Sequence, residues 1–462
     1  MDFSPHCIWG DEDETVVYAQ VIGQGKAVIF RFFRDPNASR QSLAARVVNY
    51  YHRNEDPAAP SGFETRDGLR EFIWSAIAAV WNECVKEPQT SEPGTLIDLS
   101  SDDNGEITWR AFFEPLFDRY IDLLRHITAD DLMPRGGQIA VPIVDVSELT
   151  ILSSLGGKGC SMKVQLQKSL GENSIFVFKG VDFQTYLQLY DENDEFLDAF
   201  VESWRRSSRL IATMAPHPNI QTPPQFLVST RDPKTRKAVL VGHLSPYLPR
   251  GDLAGVLEDA NTKGTLIPLQ RKAKWCLQLA RTVDHTHNML HTYHMDIKPG
   301  NILVDEADNI QLIDWEQSGA PATTLAPEAD GTWDVHQTSS KLVYTKYDGP
   351  GRRNMPVGGG TQTFHTWNVF PVWQQTCPKA TELAEVFALG RTMWMILTQM
   401  SGVDFNNINH PDEIQVTWPN RDELPPVWVD MVVKYMERDP NSRPAIADVI
   451  TFWEGEFHRR NK

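Results

Sequence analysis

Two stretches near the start of the chain carry β-branched and aromatic residues in strand-like runs. "TVVYAQV" (residues 15–21) and "KAVIFRFF" (26–33) flank the short turn "IGQG" and predict a β-hairpin. The period then changes. In "GLREFIWSAIAAVWNECV" (68–85), Leu69, Phe72, Ile73, Ile77, Val80 and Trp81 recur at helical spacing. "ITWRAFFEPLFDRYIDLLRHI" (107–127) is read the same way, with Phe112, Leu116, Tyr120, Ile121 and Leu124 on one face of a second helix. Residues 87–106, rich in Pro, Ser and Asp, read as a polar loop between the two.

A second β-rich part begins near Val144 with "ELTILSSL", "KVQLQKS" and "SIFVFKGV". A long helical pattern covers about 194–214, and "KAVLVGHL" (237–244) returns to strand. From Gly251 the pattern is mainly helical. A β-rich piece followed by a helical piece predicts an α+β arrangement of two lobes. Residues 317–376 are rich in Gly, Pro, Ser and Thr, and "RRNMPVGGGTQT" reads as loop. A loop of that length in a compact domain is functional or disordered. No internal repeat is evident.

Composition removes several function classes. The 462 residues suffice for two domains, and 41% hydrophobic residues with 14 tryptophans suffice for a large core. A formal net charge of -17 leaves no basic patch for nucleic acid or an anionic membrane. The five cysteines, Cys7, Cys84, Cys160, Cys276 and Cys377, are scattered and form no C-x-x-C, which fits reduced thiols. The acidic start "MDFSPHCIWGDEDE" has no apolar core for a secretory signal, and no apolar run reaches spanning length. The expectation is a soluble protein of the cytoplasm or nucleus. "SSDDNGEITWRA" (100–111) places Asp102, Asn104, Gly105 and Ile107 as a calcium loop would, but Ser100 and Ala111 lack the required carboxylates, so it reads as a solvated turn.

The chemistry concentrates in "HTYHMDIKPGNILVDEADNIQLIDWEQ" (291–317). Asp296, Lys298, Asn301 and Asp314 stand there at fixed intervals. Upstream, "LGGKGCSMKV" carries Gly157, Gly159 and Val164, and "FVFK" ends in Lys179. "PHPNI" (216–220), "LSPYLPRGDL" with Tyr247, Leu248 and Asp252, "EVFALGRTMWMIL" with Glu385, and "MERDPNSRP" with Arg443 follow in order. From about 146 to 456 the chain therefore resembles the eukaryotic protein-kinase family.

That resemblance implies a two-lobed protein-kinase-like fold, with a small β-rich N-lobe at 146–249 and a large helical C-lobe at 250–462. Residues 1–145 form an N-terminal α/β extension of unknown function, an N-lobe prop or a docking module for a partner. It implies ATP and Mg2+ as cofactors. Gly157, Gly159 and Val164 would cover the nucleotide. Lys179 would meet its phosphates, and Leu248 and Asp252 its adenine and ribose. Asp296 would be the catalytic carboxylate and Lys298 the lysine of the transferring phosphate, with Asn301 and Asp314 as metal ligands. Lys298 follows the serine/threonine pattern. The details resemble kinase-like proteins abundant in filamentous fungi.

The chain also departs from the family. Met162 replaces the third loop glycine. Asp-Trp-Glu replaces Asp-Phe-Gly, so Glu316 removes a residue that tolerates unusual backbone angles. Choline and aminoglycoside kinases, which share the fold, often carry an acidic or bulky residue there. Met295 replaces the arginine that receives an activating phosphate. Glu202 is the nearest candidate for the helix carboxylate that pairs with Lys179, its alternative being a surface pair with Arg205 or Arg206. "APE" (326–328) lies too far before Glu385 to end the activation segment by family spacing, which leaves Arg443 without an expected partner. Three readings stay open: a serine/threonine protein kinase, a small-molecule kinase of the same fold, and a pseudokinase that binds ATP without transfer.

Overall fold

The computed structural model describes residues 3, 8–10, 14–21, 27–34, 42–48, 66–101, 106–133, 141–156, 161–166, 175–190, 194–317, 319–339, 341–348, 369–401, 413–419 and 421–460. Contacts divide the chain into two compact units. The first holds residues 1–205 and 224–247, the second 206–223 and 248–462.

The first unit contains two sheets. The N-terminal sheet has the order β1 (Ile8–Gly10), β2 (Glu14–Gln20), β3 (Ala27–Phe33), β4 (Thr95–Ser101), β5 (Ile107–Phe113). The predicted hairpin is β2 and β3, paired antiparallel. β3 and β4 run parallel, joined through α1 (Leu43–Val47) and α2 (Arg66–Cys84), whose apolar stripe buries Leu69, Ile73, Ile77 and Trp81 on the sheet. Two expectations fail here. Residues 107–113 are strand, not helix, and "TLIDLSS" in the supposed loop is its partner. β-branched and aromatic residues alternating with polar ones outweighed a helical spacing shared with the real helix, α3 (Leu116–Leu124). A one-turn helix, α4 (Ala129–Leu132), follows under a Thr128–Asp131 capping box.

The second sheet has the order β6 (Ile143–Asp145), β10 (Phe226–Arg231), β11 (Ala238–Pro246), β9 (Ile175–Gly180), β8 (Ser161–Leu166), β7 (Leu149–Gly156). Between β9 and β10 lie α5 (Phe183–Leu189), capped by Asp182, and α6 (Asp194–Thr213). The N-terminal part is fastened to this sheet. Buried Gln20 reads the backbone of β7 like a missing strand, donating to the Leu149 carbonyl (2.8 Å) and accepting from the Ile151 N–H (2.8 Å). Phe117 and Tyr120 of α3 pack on Phe183, and the Tyr120 hydroxyl donates to the Val181 carbonyl (2.8 Å). Arg125 and Asp232 add an ion pair.

The second unit is mainly helical: α7 (Leu253–Thr262), α8 (Leu269–Asp284), α9 (Phe370–Thr376), α10 (Pro378–Thr398), α11 (Pro426–Tyr435) and α12 (Ile446–Arg460). Nearly every residue of α10 from Ala380 onward is buried, so it is enclosed around its whole circumference, as a central helix is. Trp275, Trp394, Trp428 and Trp453 fill the core around it. Two hairpins complete the unit, β12 (Ile302–Val304) with β13 (Ile310–Leu312), and β14 (Trp333–Gln337) with β15 (Leu342–Lys346). The latter lies inside the stretch read as loop. Among the described residues no helix is long and apolar enough to cross a membrane, and Cys84, Cys276 and Cys377 are buried free thiols.

Candidate active site

In the first unit, Val164 is buried on β8 between Ile151 and Phe176. Lys179 lies on β9, opposite His243 on β11. Burial first, and the Lys179 charge second, push the His243 imidazole down to about 3, so it stays neutral and accepts from Trp204 Nε1 (3.2 Å). Gly157 and Gly159 lie outside the described residues. Glu202 forms the surface pair: both its oxygens face Arg205, at 2.8 and 3.1 Å.

In the second unit, Leu248 accepts from Gly251 N in a turn, and Asp252 caps α7 by accepting from Gly255 N (2.8 Å). The loop that carries Asp296, Lys298 and Asn301 follows α8, whose end passes into a π-helical turn, His285–Met289. Asp296 Oδ2 accepts from Lys298 Nζ (2.7 Å) and Asn301 Nδ2 (2.9 Å), and Asn301 Nδ2 also donates to the Asp296 carbonyl (2.9 Å). Asp296 Oδ1 is buried and accepts no hydrogen bond from the described residues. Burial opposes the Lys298 charge, but Asp296, then Asp314 and Glu316, hold its pKa above the ordinary lysine value. The loop thus joins Asp296, Lys298 and Asn301 in one hydrogen-bonded cluster, and the Ile313 N–H donates to the Asn301 carbonyl (2.9 Å), which ties the strand before Asp314 to it.

Backbone strain marks both chemical positions. Met295 has φ 79° and Asp314 φ 71°, left-handed values costly for methionine and less so for aspartate. Each is held by its neighbours. Glu385, fully buried in α10, accepts at Oε1 from His294 N (2.7 Å) and Met295 N (2.5 Å), and His287 Nε2 of the π turn meets its Oε2 at 2.6 Å. Burial pushes this carboxyl up, but the hydrogen bond and charge of His287, with the Met295 N–H, prevail and hold its pKa below the ordinary value. His294 Nε2 donates to the Ile313 carbonyl and its Nδ1 accepts from Asp296 N, which fixes the ring in one tautomer. Trp315, fully buried, packs edge-on against His294. Glu316 itself has no positive φ; the left-handed residue is Gln317, at 52°. A glycine is therefore not required at 316.

One expectation is overturned outright. The Glu328 carboxylate of "APE" forms a two-pronged, buried pair with the Arg443 guanidinium, Oε1 with Nη1 and Oε2 with Nη2 at 2.9 Å. Spacing misled because the chain inserts the β14–β15 hairpin between this glutamate and α10. Asn441 clamps the insertion by a double hydrogen bond to the Leu342 backbone. Met295 and Tyr293 sit in an apolar cluster with Leu325, Ala326, Phe370 and Trp373, which binds the segment ending at Glu328 to the catalytic loop without charge. Among these residues, His287 and Gln317 carry no family signal in the sequence and were found only by their contacts.

The protein-kinase domain family matches residues 152–333, a stretch that ends where β14 begins. A probable serine/threonine-protein kinase, drkD of Dictyostelium discoideum, is 21% identical over 285 residues, covering 58% of this chain and 18% of that protein. Cyclin-dependent kinase 1 of Encephalitozoon cuniculi is 23% identical over 209 residues, covering 42% of this chain and 64% of its own length. The chain spans less than two thirds of either relative. Residues 152–333 thus match the protein-kinase domain, and the α+β architecture and both relatives support that likeness.

Proposed function

We propose that the chain is an ATP- and Mg2+-dependent phosphotransferase acting on a hydroxyl, most consistent with a serine/threonine protein kinase. The observation that carries this is the Asp296 carboxylate. One oxygen is fixed by Lys298 and Asn301, while the other accepts no hydrogen bond from the described residues and is the one left to take a hydroxyl proton. The residues suit Mg2+. Both amide hydrogens of Asn301 are spent on Asp296, so its oxygen is the atom left to ligate, and Asp314 adds a carboxylate. Mg2+ is commonly held by one or two such ligands plus phosphate oxygens and water. The metal, when bound, would neutralise phosphate charge. Lys298, held charged by Asp296, would stabilise the transferring phosphoryl group, and Lys179 would bind phosphates. Met162 does not remove any of these groups. Gly157 and Gly159 remain assigned to the nucleotide loop by resemblance, Leu248 and Asp252 to adenine and ribose. Residues 1–145 are proposed as an N-lobe prop, an assignment supported by the Gln20 and Tyr120 contacts.

The experiment is a transfer assay with labelled ATP on a peptide library and a panel of small alcohols. Labelled peptide at Ser or Thr supports the reading. Labelled alcohol alone moves the protein to small-molecule kinases, and nucleotide binding with neither product makes it a pseudokinase.

A further inference from the structure

In place of the missing glycine, the turn after Asp314 has two side-chain contacts that hold its backbone. Gln317 Nε2 donates to the Tyr293 carbonyl (2.5 Å) and to Thr292 Oγ1 (3.1 Å), joining the turn to the start of the catalytic loop. Arg206 Nη2 donates to the Glu316 carbonyl (2.7 Å). The two contacts fall on consecutive residues, 316 and 317, with one residue between them and the left-handed Asp314. A left-handed Asp314 and a left-handed Gln317 within four residues are both unfavourable, and persist only where surrounding contacts fix them.

We propose that Gln317 and Arg206 are positioning residues that latch the Asp314–Trp315–Glu316 turn and so hold the Asp314 carboxylate ready for the metal. This rests on the kinase reading for the role of Asp314, but the latch itself consists of contacts within the chain. Trp315 anchors the middle of the turn in the core, with Nε1 on the Leu312 carbonyl (3.2 Å), so the latch acts on a segment already fixed at one point. The Gln317 amide tethers the far side, and the Arg206 guanidinium, exposed and therefore weaker, adds a second tether.

The test uses the full chain with Gln317→Asn, Arg206→Met, both together, and Arg206→Lys as the conservative control. Asparagine tolerates the left-handed backbone but is one methylene short of the Tyr293 carbonyl, so the tether is removed without new backbone strain. Two quantities are read: amide hydrogen exchange at residues 313–317 without ligand, and the Mg2+ concentration that half-saturates binding of a non-hydrolysable ATP analogue. The double variant should exchange at least tenfold faster at 313–317 and need about tenfold more Mg2+, with exchange in β12 unchanged and Arg206→Lys close to the parent. Unchanged exchange in a folded double variant overturns the latch. Faster exchange in β12 as well overturns it too, since the residues would then serve the fold in general. If the parent shows no Mg2+ dependence, the metal role of Asp314 fails, while the exchange result still decides the latch.

Discussion

The catalytic loop and the segment running from Asp314 to Glu328 carry the same kind of strain and are held by different means. The loop is gripped through its backbone. Glu385 reaches the N–H groups of His294 and Met295, a hold that does not use the side chain at 295, and the buried methionine there leaves it in place. The later segment is gripped through side chains at its ends, Gln317 at the start and Glu328 with Arg443 at the finish, with an apolar cluster between. Backbone anchoring tolerates substitution within the loop; side-chain anchoring makes the segment depend on a few named residues.

The comparison breaks first at Asp296. Asp296→Ala should lower phosphoryl transfer about a thousandfold, roughly 4 kcal/mol of barrier, because a positioned base acts only on the way to the transition state. ATP affinity, measured by titration, should stay within a factor of a few. Weakened ATP binding with unchanged turnover would contradict the assignment.

Next in size is Arg443→Ala. It leaves Glu328 buried without its partner and should cost about 3–5 kcal/mol in urea unfolding. The double replacement Arg443→Met with Glu328→Leu should recover much of that loss. If the single variant costs under about 1 kcal/mol, the pair does not anchor the segment.

Acid separates the two regions more finely. Glu385 has its folded pKa below the ordinary 4.5, so its stabilisation is full above that value and is lost as pH falls through the folded one. Unfolding midpoints measured from pH 7 downward should decline below about pH 4.5. Glu385→Gln, weaker throughout, should show a shallower decline there; an identical slope would mean that other carboxylates account for it.

The smallest expected effect is regulatory. Met295 carries no charge to receive a phosphate, and its apolar surroundings make one costly. Phosphatase treatment should change the transfer rate by less than tenfold, under about 1.4 kcal/mol. A larger loss would reveal a basic receiver elsewhere.

Much of this was legible in the sequence because catalytic motifs are local. Asp296, Lys298, Asn301 and Asp314 stand at family intervals, and three of them meet in one hydrogen-bonded cluster as the motif implies. Long-range pairings were not legible. The distance from Glu328 to α10 assumed a segment without insertion, and the hairpin β14–β15 made that assumption false. The helical spacing extends falsely into β5 because the apolar residues Phe112 and Leu116 satisfy both periods, and only the β-branched start of the run separates them. Gln317 gave no signal at all, since a glutamine after a loop is ordinary until its amide is seen on the Tyr293 carbonyl. Glu202 is engaged with Arg205, the alternative that the sequence offered beside a pair with Lys179.

The central claim is that a metal-dependent nucleotide site is built on Asp314 and Asn301. Its most direct test is titration of the full chain with ATP analogue, with and without Mg2+, beside Asp314→Asn. The parent should bind at least tenfold tighter with Mg2+, and the variant should lose that gain while keeping its unfolding midpoint, because an amide is a poorer ligand than a carboxylate. Equal binding by parent and variant in Mg2+ would contradict the account.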